Sequence, residues 1–294
     1  KMIKSITIIG AGVTGSALAY MCAKYTDIRD IYVVEKYDGP AQVNSLPTQN
    51  SQTLHCGDIE TNYDLEKAMN VRRAADMLLR YAIAQDNTDE IIFKFPKMVL
   101  GVGDEECDIL RKRFEEFSPH YPNLKLMEHK DIQAVEPNVA SKWQTDLMSM
   151  PRDDEIVALG STDEYTAVNF EALARSFLKQ AAAVPDKNIR IWFNNSVSNI
   201  SRYKDQFYVK TTNYHFLTDA VIACAGGHSL QIAQELGFGL DYSVLPVAGS
   251  FYFTPNKLNG KVYTIQNDAL PFAAVHGDPD VTAPDKSRFG PTAL

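Results

Sequence analysis

Six residues, Gly10-Ala11-Gly12-Val13-Thr14-Gly15, form a GxGxxG turn, and Glu35 follows 20 positions after Gly15. Residue types in this order can hold a dinucleotide. Gly10 permits a tight turn, Gly12 lets the backbone approach a pyrophosphate, and Gly15 allows a helix to pack closely on a strand. The N–H groups of the opening helical turn, at Val13 and Thr14, carry partial positive charge suited to phosphate oxygens. The Glu35 carboxylate can accept hydrogen bonds from both hydroxyls of an adenosine ribose and would repel a 2′-phosphate. Lys36 completes this set of expected cofactor-binding residues. The plain alternative is a tight turn with an ordinary surface glutamate; the surrounding pattern argues against it.

That pattern is strand, glycine turn, helix, strand. Ile3 to Ile9 is a β-branched apolar run stopped by Gly10, Val13 to Lys24 carries small and apolar residues at helical spacing, and Ile31 to Val34 is a second apolar run ending at Glu35. Such a βαβ unit implies a parallel sheet. Downstream, Asp64 to Gln85 has apolar residues at spacings of three and four and predicts a helix. Ile91 to Phe95 and Met98 to Val102 predict strands, and Asp104 is the expected cap of a helix reaching about Phe117. Phe170 to Ala183 predicts an amphipathic helix. It precedes strand patterns at Ile189–Phe193, Val197–Tyr203, Phe207–Thr211, Tyr214–Leu217 and Ala220–Ala225, with a hairpin turn at Lys204-Asp205. The remainder is β-rich with frequent Gly and Pro.

The chain has 294 residues, 45% of them hydrophobic, and a formal charge of −8. This supports a substantial core and shows no Lys/Arg block that would serve nucleic acid, so no nucleic-acid partner is expected. No apolar run reaches the ~20 residues of a membrane-spanning helix, and the strand-like start lacks a signal-peptide core. Cys22, Cys56, Cys107 and Cys224 are scattered without CxxC spacing and read as reduced thiols of a cytoplasmic protein.

Three further stretches carry a family resemblance. The run Thr218 to Ser229, with its Cys224-Ala225-Gly226-Gly227 turn, resembles the second flavin-contacting strand of the D-amino-acid oxidase superfamily, and Asn195-Ser196-Val197 resembles its backbone clamp on adenine. Asn50-Ser51-Gln52-Thr53-Leu54-His55-Cys56-Gly57 is an NSxxxHxG pattern similar to one in L-2-hydroxyglutarate oxidases. Leu270 to Asp280, containing His276-Gly277-Asp278, and then Arg288-Phe289-Gly290-Pro291-Thr292-Ala293, resemble the malate:quinone oxidoreductases. Pro246 to Phe253 and Asn50 to Asn62 fit the shorter branch of that family.

The resemblance implies an α/β architecture: a Rossmann-like FAD-binding domain with a parallel sheet (residues 1–90 and 150–235) interleaved with a β-rich α+β substrate domain (residues 91–149 and 236–294). It implies FAD held by Gly10, Gly12, Val13, Thr14, Gly15, Glu35, Lys36, Asn50, Ser51, Gln52, Val197, Ala225 and Gly226. The implied reaction oxidises (S)-malate or a similar 2-hydroxy acid, with a membrane quinone as acceptor and a peripheral position on the inner face of the cell membrane. Such chemistry needs a base for the hydroxyl proton and a cation for the carboxylates. His276 is the expected base and His55 the second candidate; Arg288 is the expected carboxylate clamp, with Tyr252 beside the substrate. Competing readings are a turn histidine, a surface salt-bridging arginine, and a loop histidine satisfied by a carbonyl. Members of the family continue past the Gly-Pro-Thr-Ala segment. Two alternatives therefore stand beside malate oxidation: an FAD-dependent oxidase of another 2-hydroxy or amino acid, and an inactive nucleotide-binding fragment.

Overall fold

The β-branched run at the start forms the strand Ser5–Ile9, buried at every position. It pairs in parallel with Asp30–Val34 on one side and with Ala220–Ala223 on the other, while Asn188–Trp192 extends the sheet beyond Asp30–Val34. A strand flanked on both edges and covered on its faces has no wet side, so its sequence is apolar without alternation. The computed structural model describes residues 2–143, 149–151, 154–247, 249–266 and 274–293. The Leu270 to Ala273 part of the family motif lies outside them.

The chain divides into two compact units, Lys1–Ser51 with Asn169–Pro246, and Gln52–Val168 with Val247–Leu294. In the first, the helix Val13–Tyr25 presents Gly15, Ser16, Ala19 and Ala23 as its buried side, small residues that permit close approach. The helix Phe170–Ala182 packs beside it, with Tyr20 and Phe177 rings 5.5 Å apart. Asn169 caps this second helix, its side-chain oxygen accepting from the N–H groups of Glu171 and Ala172 at 3.1 Å each. Val197–Tyr203, Gln206–Thr211 and His215–Thr218 form an antiparallel meander, with Lys204 at φ 55° in the tight turn. Ile200 and Val209 of this meander bury against Ile9.

The second unit is built on a seven-stranded sheet in the order Gly249–Pro255, Lys286–Ala293, His276–Pro279, Lys261–Thr264, Lys97–Val102, Ile156–Ser161, Lys125–Glu128. Only the pairing of Lys261–Thr264 with Lys97–Val102 is parallel. Val99, Val157 and Leu159 on one face pack with Cys107, Leu110 and Phe117 of the helix Asp104–Phe117 and with Ala68 of the helix Leu65–Ile83. Met98, Leu100, Ile156 and Ala158 on the other face meet Ile132 of the short helix His129–Val135.

Two local expectations change. The N-cap of Asp104–Phe117 is Gly103, at φ 80°, so Asp104 is the first helical residue and contributes charge to the first turn rather than a cap. Residues 52–90 pack within the second unit, because Ala68 and its neighbours bury against the seven-stranded sheet; the sequence had grouped them with the nucleotide-binding strands.

Candidate functional site

The glycine turn in the first unit has the backbone such a cradle needs. Gly10 adopts φ +103°, and a Cβ there would lie 2.4 Å from the Cys224 carbonyl oxygen. A Cβ on Gly15 would lie 1.9 Å from the Gly10 carbonyl oxygen, so helix and turn touch backbone to backbone. Gly12 differs, since a Cβ there would meet only the Ser45 hydroxyl, at 3.4 Å. Gly10 and Gly15 thus serve packing, while Gly12 lies where a phosphate could approach. Ser45 was not anticipated; its Oγ accepts the Val13 N–H at 3.0 Å and ties the loop after the second strand to the helix start.

Glu35 is 8% exposed. Its Oε2 accepts from the Ala11 N–H at 2.7 Å and its Oε1 from the Tyr37 N–H at 3.0 Å. These bonds fix the carboxylate at the end of its strand, and since an ionised carboxylate has about four acceptor positions, lone pairs remain for hydroxyl donors. Thr14 and Lys36 are exposed, the Lys36 ammonium lying over the Tyr37 ring at 5.0 Å. Asn50 closes the 44–50 loop by donating to the Asn44 and Leu46 carbonyls at 3.1 and 2.8 Å. Val197 opens its strand opposite Thr211, beside a bulge. The Ala225 N–H donates to Ser229 Oγ at 2.9 Å, and Gly226 takes φ +57°. The turn, a buried carboxylate one strand away and a small-residue turn after the neighbouring strand suit an adenosine diphosphate.

In the second unit, the part of the NSxxxHxG segment from Gln52 onward and the His-x-Asp and Arg-Phe-Gly-Pro motifs come together. Strand register places Lys261 and Tyr263, His276 and Asp278, and Arg288 on the sheet face that carries Val99. Thr53 joins that face, its Oγ1 2.8 Å from the Tyr263 hydroxyl and accepting from Lys261 Nζ at 3.2 Å. Asp278 is fully buried and accepts from Arg288 Nη2 at 2.7 Å, Arg288 Nε at 3.0 Å and Lys261 Nζ at 3.2 Å. Burial pulls the Lys261 ammonium below its usual pKa, with Asp278 opposing.

Arg288 is 2% exposed and directs its guanidinium at Asp278. Gln52 is fully buried with φ 51°; its amide donates to Asp280 and accepts the Val281 N–H, which braces that loop. Tyr252 is 65% exposed on the edge strand Gly249–Pro255.

The two candidate histidines differ sharply. His276 is 5% exposed and stacks on Tyr263 at 4.4 Å. Burial lowers its pKa, only partly offset by the Ala274 carbonyl and Asp278. Its Nδ1 lies 3.1 Å from the Ala274 carbonyl oxygen, so a neutral ring donates there, and Nε2 is buried with no partner among the described residues. His55 is 45% exposed at its side chain, and its Nδ1 lies 2.6 Å from Oε1 of Glu60, itself only 12% exposed. Burial disfavours the Glu60 carboxylate, yet the hydrogen bond and charge of His55, with Lys97, hold its pKa below the usual value. Glu60 carried no motif, and four residues of irregular chain separate it from His55, so periodicity offered no signal for the pair.

The loop bearing this pair is held from below. Arg113 donates to the carbonyls of Gly57, Asp58, Glu60 and Tyr63 at 2.8 to 3.2 Å. Tyr121 Oη donates to the Cys56 carbonyl at 3.2 Å, and Asp58 pairs with the buried Lys97 ammonium at 2.7 Å.

The family model described as malate:quinone oxidoreductase matches residues 3–293. The chain belongs to the malate:quinone oxidoreductase family. A probable malate:quinone oxidoreductase of Campylobacter jejuni is 45% identical over 293 residues, covering 98% of this chain and 64% of that protein. A malate:quinone oxidoreductase of Helicobacter pylori is 40% identical over 288 residues, covering 98% and 63%. The chain thus spans a little under two thirds of the length of these family members. Among solved structures, glycine oxidase from Geobacillus kaustophilus superposes with a TM-score of 0.70 at 18% identity, covering 99% of this chain and 71% of that one. L-alpha-glycerophosphate oxidase from Mycoplasma pneumoniae with FAD bound gives 0.69 at 19% identity, covering 100% and 72%. At such identities these two similarities concern the fold alone.

Proposed function

We propose that this malate:quinone oxidoreductase family member binds FAD through the Gly10–Gly15 turn and Glu35 and takes part in oxidising (S)-malate to oxaloacetate, with a quinone as final acceptor. The family match across residues 3–293 carries this reading. When bound, FAD supplies the two-electron acceptor for the hydride leaving the substrate C2. The residues of this chain do the rest. Backbone N–H groups at the start of the helix Val13–Tyr25 meet the diphosphate, and Glu35 receives the ribose hydroxyls. His55 accepts the hydroxyl proton at Nε2, since its Nδ1 is committed to Glu60. His276, neutral and stacked on Tyr263, contributes a fixed polar wall rather than the base. Exchange with a membrane quinone would proceed through peripheral contact; no helix among the described residues is long and apolar enough to cross a membrane.

The test is anaerobic addition of (S)-malate, (R)-malate, L-2-hydroxyglutarate and a panel of amino acids to the flavin-loaded enzyme, with the flavin absorbance followed. (S)-malate alone should bleach the flavin and drive reduction of a quinone-linked dye. Bleaching by 2-hydroxyglutarate or an amino acid but not by malate, or rapid peroxide formation in air, would overturn the assignment of substrate or acceptor.

A further inference from the structure

Buried or partly buried charge groupings among the described residues outside the nucleotide turn include the Lys261–Asp278–Arg288 cluster, the Lys97–Asp58–Glu164 cluster, the Glu136 carboxylate held by the N–H groups of Asn259 and Gly260, and the His55–Glu60 pair. The last of these joins a solvent-reaching base to a nearly buried carboxylate.

We propose that Glu60 is a positioning residue for His55, holding its imidazole in the Nδ1–H tautomer so that Nε2 is the proton acceptor for a substrate hydroxyl. The proposal rests on the reading that the chain oxidises a 2-hydroxy acid. An ionised carboxylate can only accept, so at 2.6 Å the shared proton belongs to His55 Nδ1 and the lone pair must be on Nε2. A surface ion pair would put both partners in water, where it contributes little. Here the carboxylate is nearly buried and its second oxygen, Oε2, has no partner among the described residues. His55 therefore gives this carboxylate its one directional side-chain bond among those residues.

The loop geometry removes slack from the pair. Four of the carbonyls from Gly57 to Tyr63 are occupied by the single guanidinium of Arg113. Gly57 takes φ +89° where a Cβ would lie 2.4 Å from the Ala68 carbonyl oxygen, so the chain is pressed onto the helix Leu65–Ile83. A loop needing only solubility would not require a buried arginine spent wholly on its backbone. The other charged and titratable groups sensed around Glu60 are Lys97, Arg113, Tyr63, Tyr121 and Tyr263. Of these Lys97 is the cation that favours the carboxylate form together with His55.

The decisive variant is Glu60→Gln in the flavin-loaded enzyme, with Glu60→Asp as the conservative control. Loss of a carboxylate that fixes the tautomer of a general-base histidine can cost up to about 10⁴-fold, and it should fall on kcat with KM changed less than about threefold. Glu60→Asp should recover much of kcat. A readout independent of turnover is the hydrogen-bonded imidazole N–H proton resonance of His55, identified by its loss in His55→Asn. It should vanish in Glu60→Gln while the melting temperature stays within a few degrees. A resonance that persists in Glu60→Gln would overturn the proposal, as would a loss of kcat that Glu60→Asp does not relieve. If the wild-type enzyme proved inert toward all 2-hydroxy acids, the substrate reading would fail, and the N–H resonance would still decide the pairing.

Discussion

Replacing Asp278 by Asn isolates the buried charge cluster of the second unit. The carboxylate is 0% exposed and receives three hydrogen bonds from two cations, Lys261 and Arg288, which are 1% and 2% exposed. Asn preserves the shape and removes the charge, leaving Asp280, 3.5 Å from Arg288 Nε, as a remaining counter-ion. Breaking a buried pair by removing one partner costs about 3–5 kcal/mol because the survivor's charge stays uncompensated. For a chain of this size each kcal/mol lowers the melting temperature by roughly 2–4 °C, so thermal denaturation should drop by about 6–20 °C. The pH dependence has a definite sign. The pKa of Lys261 is already depressed in the fold, so the charged lysine opposes folding as pH falls and the deficit of the variant should shrink in alkaline solution. A triple replacement, Asp278→Leu with Arg288→Met and Lys261→Met, should recover part of the loss, since an apolar set avoids the desolvation cost. Melting of Asp278→Asn within about 2 °C of wild type would refute the reasoning, because a neutral amide would then serve as well as the carboxylate.

Two other outcomes follow from single residues. Gly15→Ala should give a protein that retains no flavin on purification, because its Cβ would lie 1.9 Å from the Gly10 carbonyl oxygen and force the helix off the turn; a normal flavin-to-protein ratio would contradict this. Burial raises the pKa of Glu136 from 4.5 to about 7, against the N–H bonds from Asn259 and Gly260. Folding therefore takes up a proton between these values. The associated stability is full below about 4.5 and is lost as pH rises through about 7, by on the order of 3 kcal/mol. Urea denaturation from pH 5 to 8 should show this decline in wild type and not in Glu136→Gln; equal slopes would remove the explanation.

The nucleotide half was legible because its signals are local. Three glycines at fixed spacing, a buried strand before them and an acidic residue after the next strand lie within 35 positions. The structure bonds them as the spacing requires. The second unit was less legible because its sheet joins distant segments: Lys261–Thr264 pairs in parallel with Lys97–Val102, and no pattern near either announces the other. Residue type also misleads there. Lys97, Lys261, Asp278 and Arg288 read as surface residues on average, yet each is 2% exposed or less, since each has an opposite charge across or beside the sheet. Arg288 in particular reads as a surface cation from its type, and the structure bonds it to Asp278. Glu60 was invisible for a related reason: an acidic residue in an irregular loop acquires meaning only once Arg113 and His55 are placed around it.

Equilibrium titration of flavin-free protein with FAD and with FMN, monitored by flavin fluorescence, bears most directly on the cradle built from Gly10, Gly12, Gly15 and Glu35. If the turn grips a diphosphate and the carboxylate grips the adenosine ribose, FAD should bind at least two orders of magnitude more tightly than FMN, on the order of 3 kcal/mol. Glu35→Ala should erase most of that difference. Equal affinity for the two flavins, or an unchanged preference in Glu35→Ala, would contradict the account.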